Sequence, residues 1–330
     1  MRFRAILPRF VTLLFLLASA VPATRSAPVA IVERPSHTSL SATPHVLDPE
    51  RPGRRRFGEL TLEAGWRMTS ADARFGGLSA MTAADGGLLA LSDSGSVFRI
   101  ALAGDRPARL EVSGLPAGPG DADRKSDRDT EALTRDPATG RLWIAFEQHH
   151  QVWRYGPAFG AAEVRAKIAA PRRWRMNGGV EAMTRLPDGR FVMFSETRRG
   201  PGGASDLLVY PGDPTAPGAT PRVLAYLPPG PLQPTDAAVL SDGRILVLHR
   251  FFSLRTGVWA MLGVVEPEAL NGTAPVRPRV LASWGPGLAI DNMEALAVTQ
   301  ERGRDRIWIA SDDNFTPLQR TLLLRFRIGG

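Results

Sequence analysis

The sequence predicts an all-β protein, a β-propeller of five blades with six as the alternative, whose ring is closed by an amino-terminal strand that joins the last blade. Two observations predict this fold. From Phe57 onward, short apolar or alternating runs are separated by Asp-Gly, Pro-Gly and Gly-Gly pairs, which is typical of short strands joined by tight turns. A related phrase also recurs at intervals of 50 to 58 residues, a spacing in the range of propeller blades.

Each copy of the phrase places a polar residue directly before an alanine at the start of a strand-like run. The five residues are Ser79, Glu131, Glu181, Asp236 and Glu294. Each full unit reads as four strands, which in the second unit are EALTRD, RLWIAFE, QVWRYG and EVRAKIA. The connections between first and second strands, such as PDGR, contain a glycine that supplies the positive φ of a hairpin turn. We interpret these connections as turns and assign them no chemistry.

The last unit contains only three strands, EALAVTQ, RIWIASD and TLLLRFRI. The segment GELTLEAGWRM, residues 58–68, stands alone ahead of the first full unit. Joining it to the last blade supplies the missing strand and removes the free sheet edges of an open array.

The amino-terminal region divides into two segments ahead of the propeller domain, which we assign to residues 57–330. Arginines precede an apolar run that ends in small residues within residues 1–27, which indicates a cleavable secretory signal. Residues 28–56 are rich in Pro and Arg and predict an extended leader on the surface. The protein is therefore expected in the periplasm or secreted from a bacterial cell, as a monomer without a stable membrane anchor once the signal is removed.

The charge does not favour binding to nucleic acid. The formal net charge is +8, but four arginines lie in residues 1–27, which contain no acidic residue, so the remaining chain carries +4. Apart from Arg54-Arg55-Arg56, the basic residues are scattered and form no stripe. The chain has no cysteine, so neither a disulfide framework nor a thiolate nucleophile is available.

The recurring acids are predicted to converge on one mouth of the propeller channel. The first strand of a blade lines the channel and the second runs antiparallel beside it, so the start of one and the end of the other open on the same face. We therefore expect Glu131, Glu181, Asp236 and Glu294 to meet at one rim, with Asp312 and other strand-two ends outside them.

Crowded carboxylates repel one another unless a cation, protons or arginines compensate their charge. A hard divalent ion, most plausibly Ca²⁺, suits oxygen ligands from these four acids, Asp312 and an amide such as Asn177. The alternative is that each inner acid accepts hydrogen bonds from the backbone of a neighbouring blade and holds the blades together.

Basic and amide side chains on the same face predict an anionic ligand. Arg198 and Arg250 can make bidentate contacts with an anionic ligand, phosphate above all, and Asn177 is predicted to contact the substrate beside them. His249, at the end of a second strand, could transfer a proton.

Five phrases of the sequence carry a resemblance to a known family. They are FGGLSAM…SDSG, DTEALTR…FEQHHQVWRY, NGGVEAMTRLPDGR, PTDAAVLSDGRILVLHRFFS and DNMEALAV…SDDNFTPLQRTLLLRF. Together they resemble the phytase-like domain of bacterial exported proteins, described as "esterase-like activity of phytase", over residues 57–330. The resemblance implies a secreted β-propeller with ester or phosphoester hydrolase activity. The dense run of aspartates of calcium-dependent propeller phytases is missing here, so phytate itself is not the predicted substrate.

The sequence thus predicts an exported hydrolase for a small anionic ester or phosphoester, assisted by Ca²⁺ at an acidic channel mouth. The catalytic residues would be Glu131, Glu181, Asp236, Glu294 and His249. Two alternatives stay open: a non-catalytic periplasmic propeller that binds a ligand or protein, and a lactonase-like calcium-dependent enzyme.

Overall fold

The computed structural model describes residues 35–122, 124–170, 174–198 and 200–329, without the side chain of Arg198. Within these residues the secondary structure consists of 23 strands and four short 3-10 helices. None of those helices has the length and apolar character needed to cross a membrane. The predicted signal segment, residues 1–27, lies outside the described residues.

The first three sheets follow one another along the chain, and in each of them the chain steps outward from the first strand. The first sheet contains β5 (Leu78–Ala84), β6 (Gly87–Ser92), β7 (Ser96–Ala103) and β8 (Arg106–Gly114). The second contains β9 (Thr130–Arg135), β10 (Leu142–Phe146), β11 (Gln151–Tyr155) and β12 (Ala162–Lys167). The third contains β13 (Val180–Arg185), β14 (Phe191–Arg198), β15 (Ser205–Tyr210) and β16 (Arg222–Tyr226).

The last two sheets repeat this plan. The fourth contains β17 (Gln233–Val239), β18 (Ile245–Ser253), β19 (Gly257–Val265) and β20 (Arg279–Trp284). The fifth is built around β21 (Asn292–Glu301), β22 (Arg304–Asp312) and β23 (Leu322–Ile328). Strand β4 (Leu60–Ser70) pairs antiparallel with β23, so a strand that precedes the first sheet in sequence belongs to the last one.

The five first strands form a ring, because β5, β9, β13, β17 and β21 each contact the next and β21 contacts β5. The structure is therefore a five-bladed propeller, and the five-blade prediction is confirmed. Its core lies in layers between neighbouring blades. Each of the five hydrophobic clusters joins side chains of two adjacent sheets.

Part of the predicted leader belongs to the sheets. Strand β1 (Ser36–Thr38) pairs with β8 at the outer edge of the first blade. Strand β2 (Leu40–Pro44) pairs with β4 in the fifth blade, and β3 (Arg56–Phe57) pairs with β4 as well. The amino-terminal segment therefore bridges the outer edges of two neighbouring blades.

Candidate functional site

One end of the propeller carries a cavity of about 1210 Å³, lined by the starts of first strands, the ends of second strands and the loops beside them. Carboxylates dominate its lining. The acidic lining residues are Asp93, Glu131, Glu147, Glu181, Glu196, Asp291, Glu294 and Asp312. Among the described residues that line the cavity, Arg250 is the one basic side chain.

The first strand of every blade has a register shift of the β-bulge type near its start. The residues without a Cα partner at these shifts are Ser79, Glu131, Glu181, Thr235 and Glu294. A bulge re-aims the side chain at its position. Glu131, Glu181 and Glu294 all line the cavity, so the structure brings together three of the four predicted inner acids.

Asp236 does not occupy the equivalent position in the fourth blade. There the bulged residue is Thr235, and Asp236 pairs with Leu248 one position further along. The hydroxyls of Thr235 and Ser79 each donate to a carbonyl of the neighbouring second strand at 3.5 Å, which supports their equivalence. Because a shift of one residue turns a side chain to the opposite face of a strand, Asp236 points away from the cavity.

The environment of Asp236 corrects the prediction that it is a catalytic residue and a metal ligand. Its side chain is 0% exposed. The carboxylate accepts hydrogen bonds from the backbone N–H groups of Met81, Leu296 and Ala237 at 3.3, 2.7 and 2.8 Å. Met81 lies in the first blade and Leu296 in the fifth, so Asp236 joins three blades. For Asp236, the alternative stated above is therefore correct: its carboxylate accepts backbone hydrogen bonds and holds the blades together.

His249 is also placed away from the cavity, which corrects its prediction as a proton-transfer residue. It is 0% exposed, and its Nε2 lies 2.7 Å from the hydroxyl of Tyr226, with the two rings stacked. Burial lowers the pKa of His249 to about 3, so the ring is neutral at any physiological pH. The pair packs the third blade against the fourth.

The ends of the second strands supply the outer acids. Asp93 follows β6, Glu147 follows β10, Glu196 lies near the end of β14, and Asp312 ends β22. All four line the cavity together with the inner acids. Carboxylates about 50 residues apart in sequence therefore face one space.

Two groups of three carboxylates have oxygen atoms that lie within 4.8 Å of one another. The first contains Asp129, Glu131 and Glu147, and the second contains Glu147, Glu181 and Glu196. Glu147 belongs to both and is a buried residue. We call these two groups the Glu147 triads.

The pKa values within the triads are raised because the carboxylates are buried together. Burial, and then the neighbouring Asp129, raise the pKa of Glu147 to about 7. Burial and the charges of neighbouring acids raise the pKa values of Glu131 and Glu181 well above their ordinary value. Without a cation, the triads therefore keep protons at neutral pH.

Glu294 lies outside both triads and is held by two partners. Its Oε1 is 2.9 Å from Nε of Arg250 and accepts a hydrogen bond from Nδ2 of Asn292 at 2.9 Å. Burial raises the pKa of Glu294, although the charge of Arg250 acts in the opposite direction. The arrangement places one oriented carboxylate beside the one lining arginine that the structure describes.

The lining residue Asp93 forms an ion pair with Lys125, which is not itself a lining residue, with an oxygen to nitrogen distance of 2.6 Å. Asp312 accepts a hydrogen bond from the backbone N–H of Asn314 at 2.6 Å. Burial and the charges of Glu294 and Asp93 raise the pKa of Asp312 well above its ordinary value. Lys125 therefore compensates part of the negative charge in this half of the cavity.

Asn177 lines the cavity, and its amide oxygen accepts a hydrogen bond from Gln148 at 2.7 Å. The side chain of Arg198 lies outside the described part of the structure. Asp129 of the first triad and Lys125 beside Asp93 are two of the polar residues at the site that the sequence does not predict. The sequence signal for Asp129 is its position two residues before Glu131 in the phrase DTEALTR.

The donor set fits a hard divalent cation. Oxygen atoms that share one calcium ion at about 2.4 Å can be up to about 4.8 Å apart, and the oxygens of each triad meet that limit. The Oε1 atom of Glu181 is buried without a hydrogen-bond partner, so it is available as a ligand for a cation. The triads offer only carboxylate oxygens, which favour Ca²⁺ or Mg²⁺ over softer metals.

Comparison with solved structures finds similar folds at low sequence identity. Myxococcus xanthus glutaminyl cyclase is 13% identical with a TM-score of 0.46, and the match covers 92% of this chain and 98% of that chain. The PQQ-bound aldose sugar dehydrogenase of Streptomyces coelicolor is 15% identical with a TM-score of 0.45, covering 91% and 100%. A Bacteroides thetaiotaomicron protein of unknown function is 10% identical with a TM-score of 0.48, covering 89% and 77%. No curated protein matches the sequence significantly.

The resemblance noted in the sequence is borne out by a match to one family over residues 73–315. The matched region runs from just before the first sheet to the loop after β22. It includes all the acids of the Glu147 triads, together with Glu294 and Arg250. This chain belongs to the phytase-like family, described as "esterase-like activity of phytase".

Proposed function

We propose that the protein is an exported hydrolase that cleaves a small ester or phosphoester in the acidic cavity with the help of a bound divalent cation, most plausibly Ca²⁺. The observation that carries the proposal is the pair of Glu147 triads in the wall of a cavity large enough for a small molecule. Membership of the phytase-like family supports the ester-hydrolysing class. The apolar segment within residues 1–27 supports export.

In this proposal, Asp129, Glu131, Glu147, Glu181 and Glu196 hold the cation. A divalent ion held there would supply the positive charge that polarises the ester oxygen and lowers the pKa of nearby water. The carboxylates of the chain must release their protons to bind it. Cation binding therefore depends on pH, and it is weakened below the raised pKa values of the triads.

Glu294 is the residue proposed to accept a proton from the attacking water. Its carboxylate lies outside the triads, is oriented by Asn292 and Arg250, and has a raised pKa, which makes it a stronger base than an exposed glutamate. The guanidinium of Arg250, which is ion-paired with Glu294, can donate a hydrogen bond to an oxygen of the substrate. Binding and proton transfer are thus assigned to different residues, which allows them to be tested separately.

The test measures hydrolysis of carboxylic esters, phosphomonoesters, phosphodiesters and lactones by residues 28–330, with Ca²⁺ or with a chelator. Glu181→Gln should weaken cation binding, measured by calorimetry, and lose turnover with it. Glu294→Gln should bind the cation normally but lower kcat by about 100-fold or more, as expected for loss of a general base. The exposed Glu268 is the matched control, because Glu268→Gln changes a glutamate outside the cavity lining.

Two results would contradict the proposal. One is the absence of turnover on every class of substrate, with the cation bound. The other is turnover that survives both the chelator and Glu181→Gln. A lactone preference would instead assign the same site to the lactonase-like alternative.

A binding function without catalysis is the second candidate, and one observation favours it. The lining arginine Arg250 is already paired with Glu294, and the adjacent Arg320 is paired with Asp291 at 3.3 Å. No arginine among the described cavity residues is thus left with its charge uncompensated for an anion. This candidate predicts that Ca²⁺ raises the Tm while no substrate is hydrolysed.

A further inference from the structure

The acidic cavity also has apolar lining residues, on two elements. Phe252 and Val258 line it from the hairpin formed by β18 and β19, and Phe315 and Leu318 line it from the loop between β22 and β23. Phe252 is 52% exposed and Leu318 is 91% exposed. These four residues form what we call the apolar wall.

The hairpin places its apolar side chains in a defined order. Phe252 and Val258 are cross-strand partners, so their side chains lie on the same face of the hairpin. Arg250 is two residues before Phe252 on the same strand and also lines the cavity. Because alternate residues share a face and advance by about 3.3 Å per residue, Phe252 lies roughly 7 Å further along that face than Arg250.

The loop that carries Leu318 is held by hydrogen bonds to neighbouring elements. Asp313 accepts from the backbone N–H of Gly77 at 3.0 Å and from the hydroxyl of Thr321 at 2.7 Å. Gln319 donates to Asp291 at 3.3 Å and accepts from Nδ2 of Asn314 at 3.1 Å. These contacts hold the loop in place with Leu318 exposed. Covering the apolar surface of Leu318 with a ligand would lower the free energy of the complex, because that surface would leave water.

We propose that the apolar wall binds the hydrocarbon part of the substrate, so that the enzyme prefers esters with a medium-length alkyl or aryl group over short ones. This inference rests on the proposed function. The reactive ester group would lie beside Arg250 and Glu294, and the hydrocarbon part would extend outward over Phe252, Val258 and Leu318. The apolar wall and the acidic residues line the same cavity, which favours one ligand that contacts both over a separate protein or membrane partner.

The test is a series of 4-nitrophenyl acetate, butyrate, hexanoate and octanoate, which changes only the acyl chain. Complete burial of a methylene strengthens binding about fourfold, and an open wall covers about half of its surface. We therefore expect KM to fall about twofold for each added methylene. In the double variant Phe252→Ser/Leu318→Ser this dependence should nearly vanish.

The matched control is Val223→Ser, which removes another exposed apolar side chain, 39% exposed, from β16 outside the cavity lining. It should leave the dependence on chain length unchanged. A KM that is independent of chain length in the unmodified protein overturns the inference, and so does a dependence that persists in the double variant.

The non-hydrolysable 4-nitrophenyl butyl, hexyl and octyl ethers separate this inference from the proposed function. If no ester is hydrolysed, the proposed function fails, but the ethers still test the wall by calorimetry. The inference then requires that the Kd falls with chain length and that the double variant loses this trend. Sedimentation of the protein with neutral phosphatidylcholine vesicles, abolished in the double variant, would assign the wall to a membrane surface and overturn the inference.

Discussion

His249 and Arg250 are neighbours in β18, yet only Arg250 lines the cavity. Successive side chains of a strand point to opposite faces, so Arg250 faces the cavity and His249 packs against Tyr226. The same alternation separates Thr235 from Asp236. Whether a residue of these strands can take part in chemistry at the site therefore depends on the face of the strand to which its side chain points.

The first prediction at this scale concerns Asp236→Asn. The amide group would turn an N–H donor toward backbone N–H groups that now donate to the carboxylate. Leaving buried polar groups unpaired costs about 1–3 kcal/mol, so we expect the Tm to fall by several degrees. Thermal unfolding followed by circular dichroism measures the change, with Asp85→Asn at an exposed position as the control.

Calcium stoichiometry provides the second measurement on the same variant. Because Asp236 does not face the cavity, Asp236→Asn should bind as many ions as the unmodified protein. Loss of a bound ion without loss of stability would show that the carboxylate is a ligand after all.

The second prediction concerns Glu147→Gln in the absence of divalent cations. The pKa of Glu147 is raised to about 7 in the folded protein, so the folded state holds this proton more tightly than the unfolded state. Stability is therefore lost as the pH rises from about 4.5 to 7. Neutral glutamine removes this penalty, so the variant should be more stable above pH 7, by about 3 kcal/mol, and equally stable near pH 4.

Thermal unfolding at several pH values in chelator checks this prediction. Glu268→Gln, which changes an exposed glutamate outside the cavity lining, should show no such gain. A variant that is less stable than the unmodified protein at alkaline pH would mean that Glu147 makes a favourable contact as an anion.

At the scale of elements, the segment before the first full blade also packs between the fourth and fifth blades. Leu47 is 1% exposed and belongs to the cluster between the fourth and fifth blades. His45 Nε2 lies 2.6 Å from the carbonyl oxygen of Ala289, and the backbone N–H of Ala289 donates to Leu47 at 2.8 Å. Strand β1, in contrast, is only three residues long, and none of its residues is buried.

The third prediction compares two deletions in the chain that begins at residue 28. Removing residues 28–39 takes away β1 and should lower the Tm by no more than a few degrees. Extending the deletion to residue 48 also removes β2 and Leu47, and burial of one leucine alone is worth about 1.5–3 kcal/mol. We therefore expect a much larger loss of Tm, measured by calorimetry, and equal losses for both deletions would contradict it.

At the scale of the whole molecule, acidic residues are concentrated in the cavity at one end, although the formal net charge is positive. Eight acids but only one lining arginine face the described cavity. Such a cavity attracts cations and repels anions. A cation that binds only the folded state also stabilises the entire propeller, because the triads join residues of the second and third blades.

The fourth prediction is that Ca²⁺ raises the Tm more at pH 8 than at pH 5. At pH 5 the triads hold protons that the ion must displace, and at pH 8 they do so less. At a concentration about 100-fold above Kd, the ion should add about 2.7 kcal/mol to the free energy of unfolding. Scanning calorimetry with Ca²⁺ and with chelator measures the increment.

Glu181→Gln should reduce this calcium-dependent increment strongly, and Glu268→Gln should keep it. An increase in Tm of equal size at both pH values would contradict the prediction, because it would mean that Ca²⁺ does not compete with protons for the triads. No increment at either pH would remove the cation from the proposed site.

Much of the fold could be predicted because a propeller repeats one local pattern. Alternating runs, turn glycines and a period near 50 residues depend on short stretches of chain, so a single sequence shows them. The convergence of Glu131, Glu181 and Glu294 follows from the same period. The register within each strand does not, because a bulge shifts it by one residue and leaves no clear mark in the sequence.

The sequence by itself determined a five-fold repeat of four-stranded units with acids at the starts of first strands and the ends of second strands. Only the tertiary structure decided which acids share a space. The bulge at Thr235 turned Asp236 toward the backbone of two other blades, and strand alternation buried His249 against Tyr226. Those outcomes depend on partners from blades distant in the chain, whose positions local sequence does not encode.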